Sequence, residues 1–396
     1  MSSWQVFTSF LTLGLTAFGG PIAHLAYFQR TFVQDKRWLT NEDYVQLVAL
    51  CQILPGPTSS QVGMAIGLQQ AGIRGAIAAW LGFTAPSVIL LVTLAYGIEH
   101  FQTQLPEGLL HGLAIAAVAI VIQAVWSMSQ TLSPDWSRRF IALTMALLAL
   151  WLSSALWQLV LLALAAFIGV MMASATPIVI RHSVFKTIPT SYYPLLSLVT
   201  LLGLLMTLPL VANWLEYPVI VMIDHLFRAG ALVFGGGHIV LPLLYDGFHE
   251  LGISDDLFLA GYGIVQAMPG PLLSFSAFLA TALPQTTFAP WLLAIIATVA
   301  MFLPSLLFVI IALPYWQKLM QSAFWQRALW GINAGVIGLL LAALVNPIAL
   351  HALHSWWDAV WLVLAILLLR YAGLPIWAYV LCCTTISMLL NYAVTT

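Results

Sequence analysis

Charged residues are scarce in this sequence. Only 6% of its 396 residues are Asp, Glu, Lys or Arg, where a soluble domain carries about a quarter. A water-soluble fold is excluded, because 62% of the residues are hydrophobic and no such fold hides that much apolar surface. The net charge of −1 leaves no basic patch for nucleic acid and no polybasic tail for anionic lipid. Cysteine is nearly absent. Cys51 and the adjacent Cys382 and Cys383 make no disulfide framework, and no Cys/His spacing reads as a metal site. There is no Walker-type phosphate loop, no flavin or NAD fingerprint, and no haem or iron–sulfur ligand set, so neither a cofactor nor an enzyme activity is expected. Met1-Ser2-Ser3-Trp4 has no basic n-region or small-residue cleavage site, so the first apolar segment is expected to be retained.

What the chain has instead is repeated apolar runs, with a mean hydropathy of +1.00. Runs of about twenty residues cross roughly 30 Å of hydrocarbon, which predicts an all-α, polytopic membrane protein. The runs are not plain. Residues 44–68 are broken at their centre by Cys51-Gln52-Ile53-Leu54-Pro55-Gly56-Pro57-Thr58-Ser59-Ser60. Two prolines around a glycine cannot continue a helix, since each proline lacks an N–H and clashes with the preceding turn. Residues 257–279 repeat the device as Gln266-Ala267-Met268-Pro269-Gly270-Pro271-Leu272-Leu273-Ser274.

Other features recur in the same order. Phe18-Gly19-Gly20-Pro21 interrupts residues 4–27, and Phe234-Gly235-Gly236-Gly237 interrupts residues 219–241. Gly14 precedes the first break as Gly230 precedes the second, Pro86-Ser87 is echoed by Pro304-Ser305, and the run from Gly112 by the run from Gly331. The offset stays at about 214–219, so one unit is duplicated: residues 1–193, a linker span at 194–215, and residues 216–396. If the Pro-Gly-Pro segments cross fully, each half has six spans, the linker adds a thirteenth, and the second half is inverted. If they are re-entrant, each half has five and the halves are parallel. The distribution of Lys and Arg does not arbitrate. Segment length favours crossing, hence about thirteen spans with inverted repeats. Broken helices at matching positions in two halves point to a transport site, with simple kinks that shape the spans as the alternative.

These residues resemble the chromate ion transporter family in its long form with two fused halves. The resemblance is carried by Gly14-Leu15-Thr16-Ala17-Phe18-Gly19-Gly20-Pro21-Ile22-Ala23-His24, by Arg37-Trp38-Leu39, and by the run from Leu50 through both prolines to Gly63. In the second half it rests on Phe234-Gly235-Gly236-Gly237-His238 and on the run from Gln266 to Pro271. It implies a bacterial inner-membrane protein that exports chromate, a tetrahedral dianion close to sulfate. Thr12 stands where the family often has a basic residue, at the place of Arg228 in the second copy.

A dianion site needs hydrogen-bond donors and positive potential, and helix N-termini supply both. A helix is expected to restart after each break, presenting the N–H groups of Thr58, Ser59 and Ser60 and of Leu272, Leu273 and Ser274. The Thr58, Ser59 and Ser60 hydroxyls add donors, and the Gln52 and Gln266 amides lie on the approach side. The candidate substrate-binding set is therefore Gln52, Pro55, Gly56, Pro57, Thr58, Ser59, Ser60, Gln266, Pro269, Gly270, Pro271, Ser274 and Arg228. Gly19, Gly20, Pro21, Gly235, Gly236 and Gly237 are the candidate hinges. Arg228 is the cation deepest in an expected span, with Asp224 one turn earlier. That pair reads either as a structural salt bridge or as a substrate cation with a proton carrier. His24 and His238, just past the glycine breaks, are further candidates for proton coupling. Moving two charges outward across a cell negative inside is worth about 4.6 kcal/mol per 100 mV, which favours export without ATP. Uptake of sulfate or a related oxyanion, and an anion channel, are the competing readings; a homodimer is compatible with either.

Overall fold

The computed structural model describes residues 1–100, 108–152, 155–173, 192–233, 240–284, 288–315, 322–353 and 355–395. Gly235, Gly236, Gly237 and His238 lie outside them. The described residues are helical and include no strand. The first half runs α1 (Ser3–Thr16), α2 (Gly20–Phe28), α3 (Asn41–Ile53), α4 (Thr58–His100), α5 (Leu109–Leu132), α6 (Trp136–Trp151) and α7 (Ala155–Met172). After α8 (Tyr193–Leu215) come α9 (Pro218–Leu232), α10 (Val240–Glu250), α11 (Asp255–Gln266), α12 (Phe275–Thr281), α13 (Pro290–Ala312), α14 (Ala323–Ala343), α15 (Trp356–Tyr371) and α16 (Ile376–Thr395). Among the described residues, five helical stretches are long and apolar enough to cross a membrane: Thr58–Ile98, Leu109–Leu132, Tyr193–Leu215, Pro290–Tyr315 and Ala323–Ala352.

Local chemistry sets the helix ends. Thr40 caps α3, its side chain accepting from the Asp43 N–H, and Ser254 caps α11 by accepting from Leu257. Acidic residues follow in both first turns, Glu42 and Asp43 and then Asp255 and Asp256, complementing the positive end of each helix dipole. Proline opens α8, α9 and α13, where its missing N–H costs nothing. α4 is two helices rather than one. Ala71 and Gly72 leave helical geometry, Gly72 with φ 64°, and the chain doubles back so tightly that Gly67 packs on Gly75. The first piece, 58–70, is about 20 Å long at 1.5 Å per residue, too short to cross hydrocarbon alone.

The helices pack across the two halves. α5 lies on α11, α15 and α16 of the second half, while α14 lies on α6 and α7 of the first. Gly112 of α5 sits against Thr384 and Ser387 of α16, and Gly331 of α14 against Ala165 and Gly169 of α7. His111 of α5 also pairs with Asp358 of α15, Nε2 to Oδ1 at 2.9 Å. The long helices after the breaks follow the same plan within each half, Gly14 of α1 against the Phe83 carbonyl and Gly230 of α9 against the Met301 carbonyl. α8 packs one face on α9 and α13, through Leu201 against Phe227 and Leu307. It exposes Leu195, Val199, Leu202, Met206 and Leu210 on the other, the surface of a helix that faces lipid.

A side chain at Gly230 would enter the Met301 carbonyl, whereas one at Gly203 of α8 meets nothing within 4 Å. Gly230→Leu should lower the thermal midpoint of the purified protein by an amount equivalent to at least ~1–3 kcal/mol. Gly203→Leu should leave it near wild type. Equal midpoints for the two variants in detergent would contradict this packing.

Candidate functional site

The two Pro-Gly-Pro breaks meet the ends of α1 and α9 in a reciprocal arrangement. Gly56 donates its N–H to the Val233 carbonyl at 2.5 Å, and Gly270 donates its N–H to the Ala17 carbonyl at 3.0 Å. Ala17 and Val233 are the residues that close α1 and α9. Each half therefore satisfies a helix-end carbonyl of the other, a group that hydrocarbon cannot solvate. Only glycine suits these two positions: Gly56 has φ 122° and Gly270 φ 97°, backbone that L side chains rarely adopt. The approach is also close. A Cβ on Gly56 would come within 2.7 Å of Ser305 Oγ, and one on Gly270 within 2.9 Å of Ser87 Oγ.

Those two serines have different surroundings. Around the second break, Ser87 Oγ and Ser274 Oγ share a hydrogen bond at 2.8 Å, and Ser87 also donates to the Thr84 carbonyl at 2.9 Å. Ser60 and Ser305 are the corresponding residues at the first break, and both are buried with hydroxyls lacking a partner among the described residues. Thr58 Oγ1 is buried in the same condition. Gln61 donates Nε2 to the Pro55 carbonyl at 2.5 Å, which holds the break, and leaves its Oε1 unpaired. His24 of α2, 1% exposed, places Nδ1 3.5 Å from Ser59 Oγ, leaves Nε2 unpaired and sets its ring edge-on to Phe83. Buried polar atoms normally find partners, and each that does not costs about 1–3 kcal/mol. Such atoms gather at the first break.

Backbone geometry separates the breaks as well. After the first, the helix restarts at Thr58, and its first ladder bond runs from the Gln61 N–H to the Pro57 carbonyl at 3.0 Å. The N–H groups of Thr58, Ser59 and Ser60 precede that bond and have no ladder acceptor of their own. After the second break the expectation fails in part. Leu272–Ser274 form a tight single turn in which the Ser274 N–H already bonds the Pro271 carbonyl at 3.0 Å, and α12 has only seven residues. Ser274 thus offers neither a free N–H nor a free hydroxyl. The two glutamines also differ: Gln52 is exposed, while Gln266 is buried against Tyr262 one turn earlier. Pro57, Pro269 and Pro271 are buried and Pro55 half-buried, lining the breaks without polar chemistry. Before α2, Gly19 and Gly20 both have positive φ ahead of Pro21.

Arg228 lies elsewhere, five residues before Val233 and so about 7–8 Å along the axis of α9. It grips Asp224 in two places, Nε to Oδ1 at 3.0 Å and Nη2 to Oδ2, and Nη2 also lies 3.5 Å from His225 Nδ1. The pair borders an open cavity of about 780 Å³ whose lining includes Asn213, Glu216, Asp224, His225, Arg228 and Glu250. Three carboxylates against one guanidinium give this vestibule a negative balance. A dianion is not drawn to it while Asp224 holds Arg228. Sequence reading missed Glu216, His225 and Glu250, which converge from three places in the chain. Ser87 and Ser305 were visible as the repeated Pro-Ser pair, without a sign that they reach the breaks.

A sequence model of the family described as chromate transporter matches this chain twice, over residues 4–170 and 220–388. The chain is 28% identical over 352 residues to a chromate transport protein of Cupriavidus metallidurans, covering 86% of this chain and 81% of that protein. It is 27% identical over 357 residues to a chromate transport protein of Pseudomonas aeruginosa, covering 87% and 81% respectively. A probable chromate transport protein of Synechococcus elongatus is 25% identical over 348 residues, covering 86% of this chain and 83% of that one. No solved structure matches. Because the two matched regions together take in most of the sequence and carry both Pro-Gly-Pro breaks, this chain belongs to the chromate transporter family.

Proposed function

We propose that this protein is a secondary carrier that exports chromate across the bacterial inner membrane, conferring chromate resistance, and that the anion is bound at the first Pro-Gly-Pro break. The observation that carries the proposal is the cluster of buried, unpaired donors there: the hydroxyls of Thr58, Ser60 and Ser305 beside the first-turn N–H groups of the helix at 58–70. Hydrogen bonds to a charged acceptor contribute about 1.5–3 kcal/mol each, so a few of them hold a tetrahedral dianion without a cation in contact. A fully buried cation would bind it too tightly to release. The imidazole of His24 borders the same region from α2.

In this reading the chain divides into residues 1–193, a linker span at 194–215 and residues 216–396, with about thirteen spans and inverted halves. The paired clasps of Gly56 on Val233 and Gly270 on Ala17, and the exchanged packing of α5 and α14, support a duplicated unit. Alternating access is then a rocking of one half on the other about these clasps, with Gly19, Gly20 and Pro21 absorbing the backbone change in the first half. Arg228 and Asp224 gate the vestibule. Asp224 is the candidate proton carrier at this vestibule and Arg228 the candidate substrate cation, paired in the resting arrangement. The membrane potential favours outward movement of two negative charges by about 4.6 kcal/mol per 100 mV.

Two predictions separate the breaks and the vestibule. Ser60→Ala removes a hydroxyl that has no protein partner, so the thermal midpoint should stay level or rise while chromate flux falls about tenfold, roughly 1.4 kcal/mol of lost binding. Ser274→Ala removes a satisfied hydrogen bond worth about 1 kcal/mol, so stability should fall with flux largely kept. The reverse pattern would place the anion at the second break. In everted vesicles, radiolabelled chromate should accumulate with wild type and not with Arg228→Gln of normal abundance. Accumulation of sulfate but not chromate by wild type would sink the assignment of the exported anion.

A further inference from the structure

A second polar cavity lies away from the breaks, where α6 ends, α7 begins and α14 gives way to a widened turn at Leu344–Ala349. Its volume is about 80 Å³. Gln158 of α7 lines it, 7% exposed, with Oε1 lacking any partner among the described residues. Asp246 of α10 lines it from another side, and Asn346, in extended conformation with φ −138° and ψ 118°, from a third. Ala342 and Ala343 also border it, and Pro347 brings no N–H to carbonyls one turn before it. In a largely apolar lining, the polar groups this cavity presents are a carboxylate, an unpaired amide oxygen and a second amide beside a helix break. Among the described lining residues none is Lys or Arg.

We propose that this cavity binds a monovalent cation, with sodium the best fit, held by the Asp246 carboxylate, Gln158 Oε1, Asn346 and the carbonyls ahead of Pro347. A single lining carboxylate balances one positive charge and not two. The volume is enough for one ion with a few waters. Unwound backbone beside a carboxylate is also the setting in which transporters hold coupling cations. The bound ion would join α7 of the first half to α10 and α14 of the second, where Gly331 already packs on α7. Binding at this cavity is independent of which anion is carried; a part in coupling rests on the carrier reading above.

Asp246 follows the apolar segment of residues 219–241 and lies outside the expected spans. Burial and then Glu250 push its carboxyl up to about 6, with His249 working the other way. Beyond its own helix, Asp255 of α11 and His351 lie near but are engaged with Tyr245 and each other: Tyr245 donates to Asp255 Oδ1 at 2.7 Å, and His351 Nε2 is 3.4 Å from Asp255 Oδ2. α6, α7 and α14 bring no charged residue to the cavity among the described lining. Cation binding requires the carboxylate, so it should be present above about pH 6 and fade as the pH falls through that value.

The full chain, purified in detergent, should melt several degrees higher in sodium chloride than in choline chloride at about pH 8, and this difference should vanish at about pH 5. Asp246→Asn and Gln158→Leu should each abolish the sodium shift while melting near wild type in choline. Identical wild-type midpoints in sodium, lithium, potassium and choline would overturn the proposal, even if neither variant folds. So would a midpoint that follows pH alone, or a sodium shift that survives in both variants. Loss of chromate flux with the sodium shift intact would count against the carrier reading and leave this site standing.

Discussion

Inside a bilayer a broken helix is tolerable only where its freed backbone groups find protein partners. The rest of this fold depends on how that constraint is met. The glycine at the centre of each Pro-Gly-Pro break gives its N–H to the carbonyl that ends α1 or α9 of the opposite half. Two helix ends and two breaks are thereby satisfied by reciprocal bonds, and neither half is complete without the other. The exchanged positions of α5 and α14 extend the same dependence through the helices that follow. A joint of this kind places irregular backbone and polar side chains at the contact between halves, where relative motion would open one side or the other.

The two breaks share a motif but not a chemistry. At the second, Ser87 and Ser274 consume each other's hydrogen-bonding capacity and the following turn consumes the Ser274 N–H. At the first, Thr58, Ser60 and Ser305 are equally buried and unpaired, ahead of a full helical restart. One motif thus closes on itself at the second break and leaves its hydroxyls unpaired at the first. The negative vestibule at Arg228 stands apart from both breaks, its guanidinium engaged by Asp224.

Much of the architecture was legible because it depends on local rules. Proline and glycine announced the breaks, and a constant offset exposed the repeat. The helix boundaries at 71–72 and the linker α8 fall where apolar runs pause. The asymmetry was not legible, because it is a matter of tertiary partners. Ser60 and Ser305 differ from Ser274 and Ser87 only in where their hydroxyls end up, and Gln52 and Gln266 occupy the same motif position with opposite exposure. In one dimension Arg228 read either as half of a structural salt bridge or as a substrate cation; Glu216 and Glu250, brought in from α8's end and α10, give its surroundings a negative balance.

The most direct test is to locate the anion. Chromium scatters anomalously, so crystals of the protein grown with chromate report its position without assumption about transport. A peak among Thr58, Ser60 and Ser305, within hydrogen-bond reach of the helix start at 58, is the result predicted. A peak in the Arg228 vestibule or at Ser274 and Ser87 would contradict the account.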